Sequence, residues 1–186
     1  MRLFFAIPLP DALCNYLVRE RDVIQQTNFT DAQRQRMRWI DERQYHVTQY
    51  FVGEVSEERL DDLIDASRGV IATTKPFMLS TERFEFKPRH NPRLLWLRFR
   101  TNETFATLMQ QLHAALTQAQ LVEAKPPEHP IPHVTLIRLK QIKPFGVDLP
   151  EAEPYDVDVN EVHLMQSFTK STGAEYKIVE RFVLQH

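Results

Sequence analysis

Residues 45–53 read YHVTQYFVG and residues 132–139 read PHVTLIRL. One tripeptide therefore occurs twice, as His46-Val47-Thr48 and as His133-Val134-Thr135, each time within a short apolar run of β-branched and aromatic residues. Such runs form strands. Residues two apart in a strand point to the same face. His46 and Thr48 then share one face, His133 and Thr135 another, while Val47 and Val134 turn into packing. If the two strands are neighbours and both faces border one cleft, that cleft holds two imidazoles and two hydroxyls. Two imidazoles flanking a substrate can act as general base and general acid in one displacement near neutral pH. Threonine hydroxyls suit the non-bridging oxygens of a phosphate. No metal is required by this chemistry. The plainer alternative is a pair of half-buried strands whose His and Thr side chains satisfy each other or the backbone. Strict alternation also puts Tyr50 and Ile137 on the motif faces, and puts Arg138 opposite His133, so that Arg138 needs a bend to reach the site.

Around these strands the chain reads as mixed helix and strand. LFFAI is a strand stopped by Pro8 and Pro10, and Asp11 can cap a helix reaching about Gln26. NFTDAQRQRMR is a polar loop and RWID a short edge strand. Ser56 opens a helix to about Ile71, and Asn102 or Thr104 opens another to about Ala119, both with apolar residues at helical spacing. FMLSTERFEF and LLWLRF form a hairpin around the basic turn KPRHNPR. A proline-rich stretch, EAKPPEHPIP, leads into the second motif strand. After it, KPFGVDLPEAEPY is an irregular connection. DVDVNEVHLMQS and EYKIVERFVL are two further strands around TKSTGA. This order is α+β. Each half places a helix beside a His-Val-Thr strand, a faint internal echo that suits a pseudo-symmetric pair of lobes.

Composition narrows the function classes. A hydrophobic fraction of 42% supports a core and excludes a disordered chain. A net charge of -2 provides no global basic field, leaving only local patches for nucleic acid. Cys14 is the sole cysteine, so there is neither a disulfide framework nor a cysteine-based zinc site. Within its helix it reads as a structural thiol. The N-terminal apolar run is too short to span a membrane and lacks a signal-peptide layout. A reducing, cytoplasmic setting is expected. With four glycines there is no Gly-rich phosphate loop.

Five stretches, in order, carry a resemblance: RLFFAIPLP, RWIDERQYHVTQYFVGEV, LLWLRF, PHVTLIR and SFTKSTGAEYKIVERFVL. Together the chain resembles the 2H phosphoesterase superfamily, named for two His-x-Thr motifs. Within it, the chain is most similar to the bacterial and archaeal RNA 2′,3′-cyclic phosphodiesterase family, also called 2′-5′ RNA ligase. Gln49 and Val52 depart from it, standing where leucines are usual. The resemblance implies that residues 1–186 form a single two-lobed α+β domain, with a sheet in each lobe and the motifs facing across a central cleft. It implies metal-free, cofactor-free opening of 2′,3′-cyclic phosphate ends of RNA to 2′-phosphates, and a reverse reaction that joins ends through a 2′-5′ linkage. His46 is then the proton donor to the departing 3′ oxygen and His133 the proton acceptor that activates water. Thr48, Thr135 and Arg138 bind phosphate. A monomer that binds no membrane is expected. Rival readings are a phosphodiesterase for a small cyclic nucleotide or ADP-ribose cyclic phosphate, a noncatalytic RNA-end binding module, and a metal hydrolase.

The remaining residues divide less sharply. Phe5 either stacks a base or packs in the core, with packing the simpler reading. Lys87, Arg89, His90 and Arg93 are either a solvated turn or an RNA-backbone contact. His129 and His133 have the spacing of a helical metal pair, but Pro130 and Pro132 exclude the helix. Trp39 and Trp96 read as packing. His113 and His163 receive no role.

Overall fold

The computed structural model describes residues 1–122, 125–140, 147–170 and 173–185. Parts of the expected proline-rich stretch (123–124), irregular connection (141–146) and last turn (171–172) lie outside these residues. Nine strands and four helices are described: β1 (Arg2–Pro8), α1 (Asp11–Asn28), α2 (Asp31–Arg34), β2 (Met37–Trp39), β3 (His46–Glu54), α3 (Leu60–Ala72), β4 (Phe77–Lys87), β5 (Leu94–Phe99), α4 (Glu103–Gln118), β6 (His133–Leu139), β7 (Asp156–Val159), β8 (Glu161–Lys170) and β9 (Gly173–Val183). The strands form two antiparallel sheets, ordered β3-β1-β8-β9 and β2-β6-β5-β4-β7.

Local chemistry accounts for most elements. In β5, Leu95, Leu97 and Phe99 are fully buried, while Leu94, Trp96 and Arg98 turn to the other face. In α4, the Asn102 side chain caps the helix by accepting from Phe105 N–H at 2.9 Å, and Phe105, Leu108, Met109, Leu112 and Leu116 form its buried stripe. It packs on β3 of the smaller sheet, where the Tyr50 hydroxyl lies 3.0 Å from His113 Nδ1. Helix α1 covers the larger sheet, with Tyr16 6.4 Å from Phe84 of β4 and stacked on Tyr155 at 5.1 Å. The helices lie on the outer faces, and the two inner faces confront each other.

Three expectations change. The polar stretch read as a loop holds one helical turn, α2, because Thr30 and Gln33 form a capping box. The stretch DVDVNEVHLMQS is two strands: at Asn160 the chain passes from the edge of the larger sheet (β7) into the smaller one (β8). The motif strands are not sheet neighbours, since β3 is an edge of the smaller sheet and β6 lies between β2 and β5. Each strand buries its valine against its own lobe. Two such strands side by side would aim both imidazoles in parallel, whereas facing sheets aim them at one another. The strands approach across the lobes without sharing a ladder. Among the described residues no helix is long and apolar enough to cross a membrane.

Candidate active site

A cleft of about 640 Å³ opens between the inner faces. The smaller sheet lines it with Arg2, Phe4, His46, Thr48, Phe51, Ser167, Thr169, Gly173, Ala174 and Tyr176. The larger sheet supplies Arg38, Leu94, Trp96, His133, Thr135 and Arg138, and the connection between β2 and β3 adds Ile40 and Gln44. Both motifs thus meet in one space. None of these lining residues is acidic, and Arg2, Arg38 and Arg138 form no ion pair among the described residues. The cleft is accordingly suited to an anion.

The two motif strands share a device that alternation alone does not reveal. In β3, Thr48 pairs with Ala6 and Tyr50 with the adjacent Phe5, leaving Gln49 as an extra residue. In β6, Thr135 pairs with Trp96 and Ile137 with the adjacent Leu95, leaving Leu136 as an extra residue. Each is a β-bulge one position after the threonine, and each reverses the facing of the residues that follow, in β3 as far as a second register shift at Val52. Tyr50 and Ile137, expected in the cleft, are buried at 3% and 0% exposure. Phe51 and Arg138 take their places in the lining. The bend that Arg138 required is this bulge. Gln49, where leucine is usual, points away from His46 as expected: it is fully buried, and its amide donates to the Phe105 carbonyl of α4 at 2.9 Å.

Both imidazoles are held in the same way. His46 Nδ1 lies 2.7 Å from the Gln44 carbonyl, and His133 Nδ1 lies 2.8 Å from the Ile131 carbonyl. A carbonyl only accepts, so Nδ1 carries the proton in each neutral ring and Nε2 is left for chemistry. Thr48 Oγ1 sits 3.2 Å from His46 Nε2 and donates to it in that tautomer. Thr135 makes no such bond to His133 among the described residues, which leaves its hydroxyl free for a ligand. Around the rings the partners differ. His46 contacts Phe4 at 5.1 Å and meets Tyr176 edge-on at 5.3 Å. His133 is stacked on Trp96 at 3.6 Å, with planes 18° apart.

Burial pushes the proton affinity of both imidazoles below the ordinary value. The positive charges of His133 and Arg138 add to this at His46. At His133, Glu85 opposes the burial effect and Lys87 reinforces it. Glu85 lies across β5 from the motif, opposite Trp96, in a network with Lys87 (3.3 Å), Arg83 (3.4 Å) and Arg98 (3.8 Å).

Several lining residues escaped sequence reading. Phe5 is wholly buried in the core, and its neighbour Phe4 is the ring that reaches the cleft. Arg2 at the start of the same strand marks that face and was the available signal. Trp96 does pack, but against the His133 ring inside the cleft and not in the core. Tyr176 and Arg38 carry no local signal. The Arg38 guanidinium lies over Gly173, where a Cβ would overlap Nη2 and displace it, and with φ +142° any side chain at this position is strained. Cys14 is half-buried with its thiol pushed up by burial, as expected of a structural cysteine. His163 is buried beside Glu161 at 2.9 Å, outside the lining. His129 lies in an exposed bend. Among the described residues no group of three or more His, Cys, Asp or Glu side chains is placed to hold a metal.

Comparison with known proteins agrees with this architecture. Over its full length the chain is similar to a protein of Methanothermobacter thermautotrophicus named RNA 2′,3′-cyclic phosphodiesterase, at 26% identity and 99% coverage of both. A Bacillus subtilis protein of the same name is 26% identical over 73% of this chain and 69% of its own. The crystal structure of TT0787 of Thermus thermophilus superposes with a TM-score of 0.82 at 24% identity, covering 99% of this chain and 98% of that one. That of Escherichia coli LigT complexed with 3′-AMP gives 0.79 at 23%, covering 100% and 98%. These two likenesses show a shared fold. The family model described as the 2′-5′ RNA ligase superfamily matches residues 10–168, most of the chain and both motifs, and the protein belongs to that superfamily.

Proposed function

We propose that this protein is a metal-independent phosphodiesterase that opens 2′,3′-cyclic phosphates at RNA 3′ ends to 2′-phosphomonoesters. The observation that carries the reading is the matched presentation of His46 and His133, each pinned through Nδ1 to a backbone carbonyl so that Nε2 meets a carboxylate-free, arginine-lined cleft. The names of the relatives support the same reaction class. His133 Nε2 takes a proton from water as the water oxygen bonds to phosphorus. The bond from phosphorus to the 3′ oxygen breaks, and His46 Nε2–H supplies the proton that this oxygen needs. Phosphate stays on the 2′ oxygen, and no metal enters the balance. Thr48 and Thr135 donate to the non-bridging oxygens, and Arg138 offsets their charge. Phe51, 66% exposed at the cleft mouth, provides a ring for a base to stack on. With a 5′-hydroxyl in place of water, the same step joins two RNA ends through a 2′-5′ linkage.

The test is product analysis after exhaustive chelation. A cyclic-ended RNA should yield only the 2′-phosphate at an undiminished rate. A 3′-phosphate product overturns the role of His46, and activity lost on chelation and restored by a divalent ion overturns the metal-free mechanism.

A further inference from the structure

One end of the larger sheet is much more basic than a net charge of -2 suggests. There the C-terminal ends of β4 and β6 meet the N-terminal ends of β2 and β5. Leu94, in the cleft lining, pairs with Lys87 on one side and Arg138 on the other, and Arg138 pairs with Arg38. Just past this row the backbone joins the next cations. Arg93 N–H donates to the Lys87 carbonyl at 2.8 Å, Leu139 N–H to the Arg93 carbonyl at 2.7 Å, and Lys140 N–H to the Arg36 carbonyl at 3.1 Å. Arg36, Lys140 and Arg93 therefore stand on three adjacent strand ends, with Arg89 in the neighbouring hairpin loop, and all four are exposed. Among the described residues none of the four has an ion pair or a side-chain hydrogen bond, nor have Arg38 and Arg138. The nearby carboxylate of Glu85 is taken by Lys87 and Arg83.

The other way out of the cleft is different. Past Tyr176 it runs into a groove whose charged residues are Arg38, Asp41, Arg43 and Glu175. Two carboxylates lie there, and Arg43 is held by Asp41 at 2.6 Å. A polyanion leaving the cleft meets balanced charge on that side and unpaired cations on the strand-end side, which favours the strand ends.

We propose that the strand-end cluster of Arg36, Arg89, Arg93 and Lys140 is a track for the backbone phosphates immediately 5′ of the cyclic end, so that the substrate is an RNA strand and not a free nucleotide. The proposal rests on the phosphodiesterase reading above. A cyclic phosphate occupies the 3′ end, so the rest of a strand must leave the cleft in the 5′ direction. From Arg36 to Arg93 the track crosses two strand spacings, on the order of 10 Å, which suits a short run of phosphates. Exposed unpaired cations gain from such a run chiefly by releasing its counterions, a contribution that a mononucleotide does not offer.

The experiment compares the wild type with an Arg36→Gln/Arg89→Gln/Arg93→Gln variant. The probes are a cyclic-ended single-stranded oligoribonucleotide and a 2′,3′-cyclic mononucleotide. For the oligonucleotide, KM should rise roughly 10- to 100-fold at low salt, and the slope of log affinity against log salt should become shallower by roughly 2, about 0.7 for each lost contact. kcat/KM for the mononucleotide should not change. A triple Arg→Lys variant should restore most of the oligonucleotide affinity, because charge and not fork geometry does the work. An unchanged oligonucleotide KM and salt slope overturns the track, and so does an equal loss on both probes. Anisotropy with a 2′-phosphate-ended oligonucleotide reads the track without turnover. If the wild type turns over neither probe yet binds this one in a variant-sensitive, salt-sensitive way, the hydrolytic reading fails and the track stands.

Discussion

Strands β3 and β6 are built alike up to the bulge and diverge after it. Each gives His, Thr and the fifth residue after the His to the cleft, and each ties Nδ1 to the carbonyl two residues before the ring. At that fifth position β3 carries Phe51 and β6 carries Arg138. Behind the rings, His46 rests against Phe4 and Tyr176, whereas His133 lies flat on Trp96 with a carboxylate network one strand away. A duplicated backbone device thus holds two imidazoles in one geometry, and unequal neighbours act on their proton affinities through different charges. In the free protein Arg138 and His133 oppose a proton on His46, while Glu85 favours one on His133. In the proposed reaction, a phosphate that engages Arg138 would add negative charge and relieve the penalty on a proton held by His46 for the leaving oxygen. Because the two sites interact, the pH profile belongs to the pair.

The most severe way to break the symmetry is to remove one imidazole at a time. His46→Ala and His133→Ala should each cost on the order of 10²–10⁴ in rate. The double variant should be little worse than the worse single, because both groups act in one step. The wild-type kcat/KM profile should be a bell with its maximum displaced to the acid side of an ordinary imidazole, since both proton affinities are lowered. His133→Ala should erase the acid limb and His46→Ala the basic limb. If each variant loses the opposite limb, the donor and acceptor names exchange.

The bulge-linked pair sharpens the contrast at the next level. Arg138→Gln should raise KM roughly tenfold or more, the worth of a charge-assisted hydrogen bond of about 1.5–3 kcal/mol. It should also move the limb owned by His46 to higher pH, because a cation that lowers its affinity has gone. Phe51→Ala should leave both limbs in place and weaken nucleotide binding by stacking loss alone, on the order of 1–3 kcal/mol. Equal limb shifts in the two variants would show that the fifth positions do not differ electrostatically.

A smaller effect isolates the far side of β6. Glu85→Gln should lower the proton affinity of His133 and move its limb to lower pH, with a smaller effect, through the coupling of the two rings, on the His46 limb. NMR titration of the two imidazoles would read this directly, and a matching shift at both rings would count against the separation.

The mildest test concerns stability. Both histidines have native proton affinities below the unfolded value, so below about pH 6.5 the unfolded chain binds more protons than the native one. Their contribution is intact above that pH and is lost progressively as pH falls toward the lowered native values. Chemical denaturation at pH 7 and pH 5 should show a smaller loss for His46→Gln than for the wild type.

The sequence by itself determined the chemistry at hand. Two identical His-Val-Thr triplets in β-forming runs, the helical stripes of α3 and α4, and the hairpin of β4 and β5 were all readable from local pattern, because side-chain period and capping are local properties. The tertiary structure decided where that chemistry points. A bulge is a mismatch between two strands, so only pairing with β1 and β5 reveals that Phe51 and Arg138 face the cleft and that Tyr50 and Ile137 do not. The crossing at Asn160 and the separation of β3 and β6 into two sheets depend on which lobe buries each apolar face, a choice made by residues far apart in the chain. Arg38 over Gly173, Phe4 and Tyr176 at His46, and the basic strand ends from Arg36 to Arg93 are likewise products of register. Each brings together side chains that no local spacing connects, because antiparallel pairing sets neighbours by where strands start and stop.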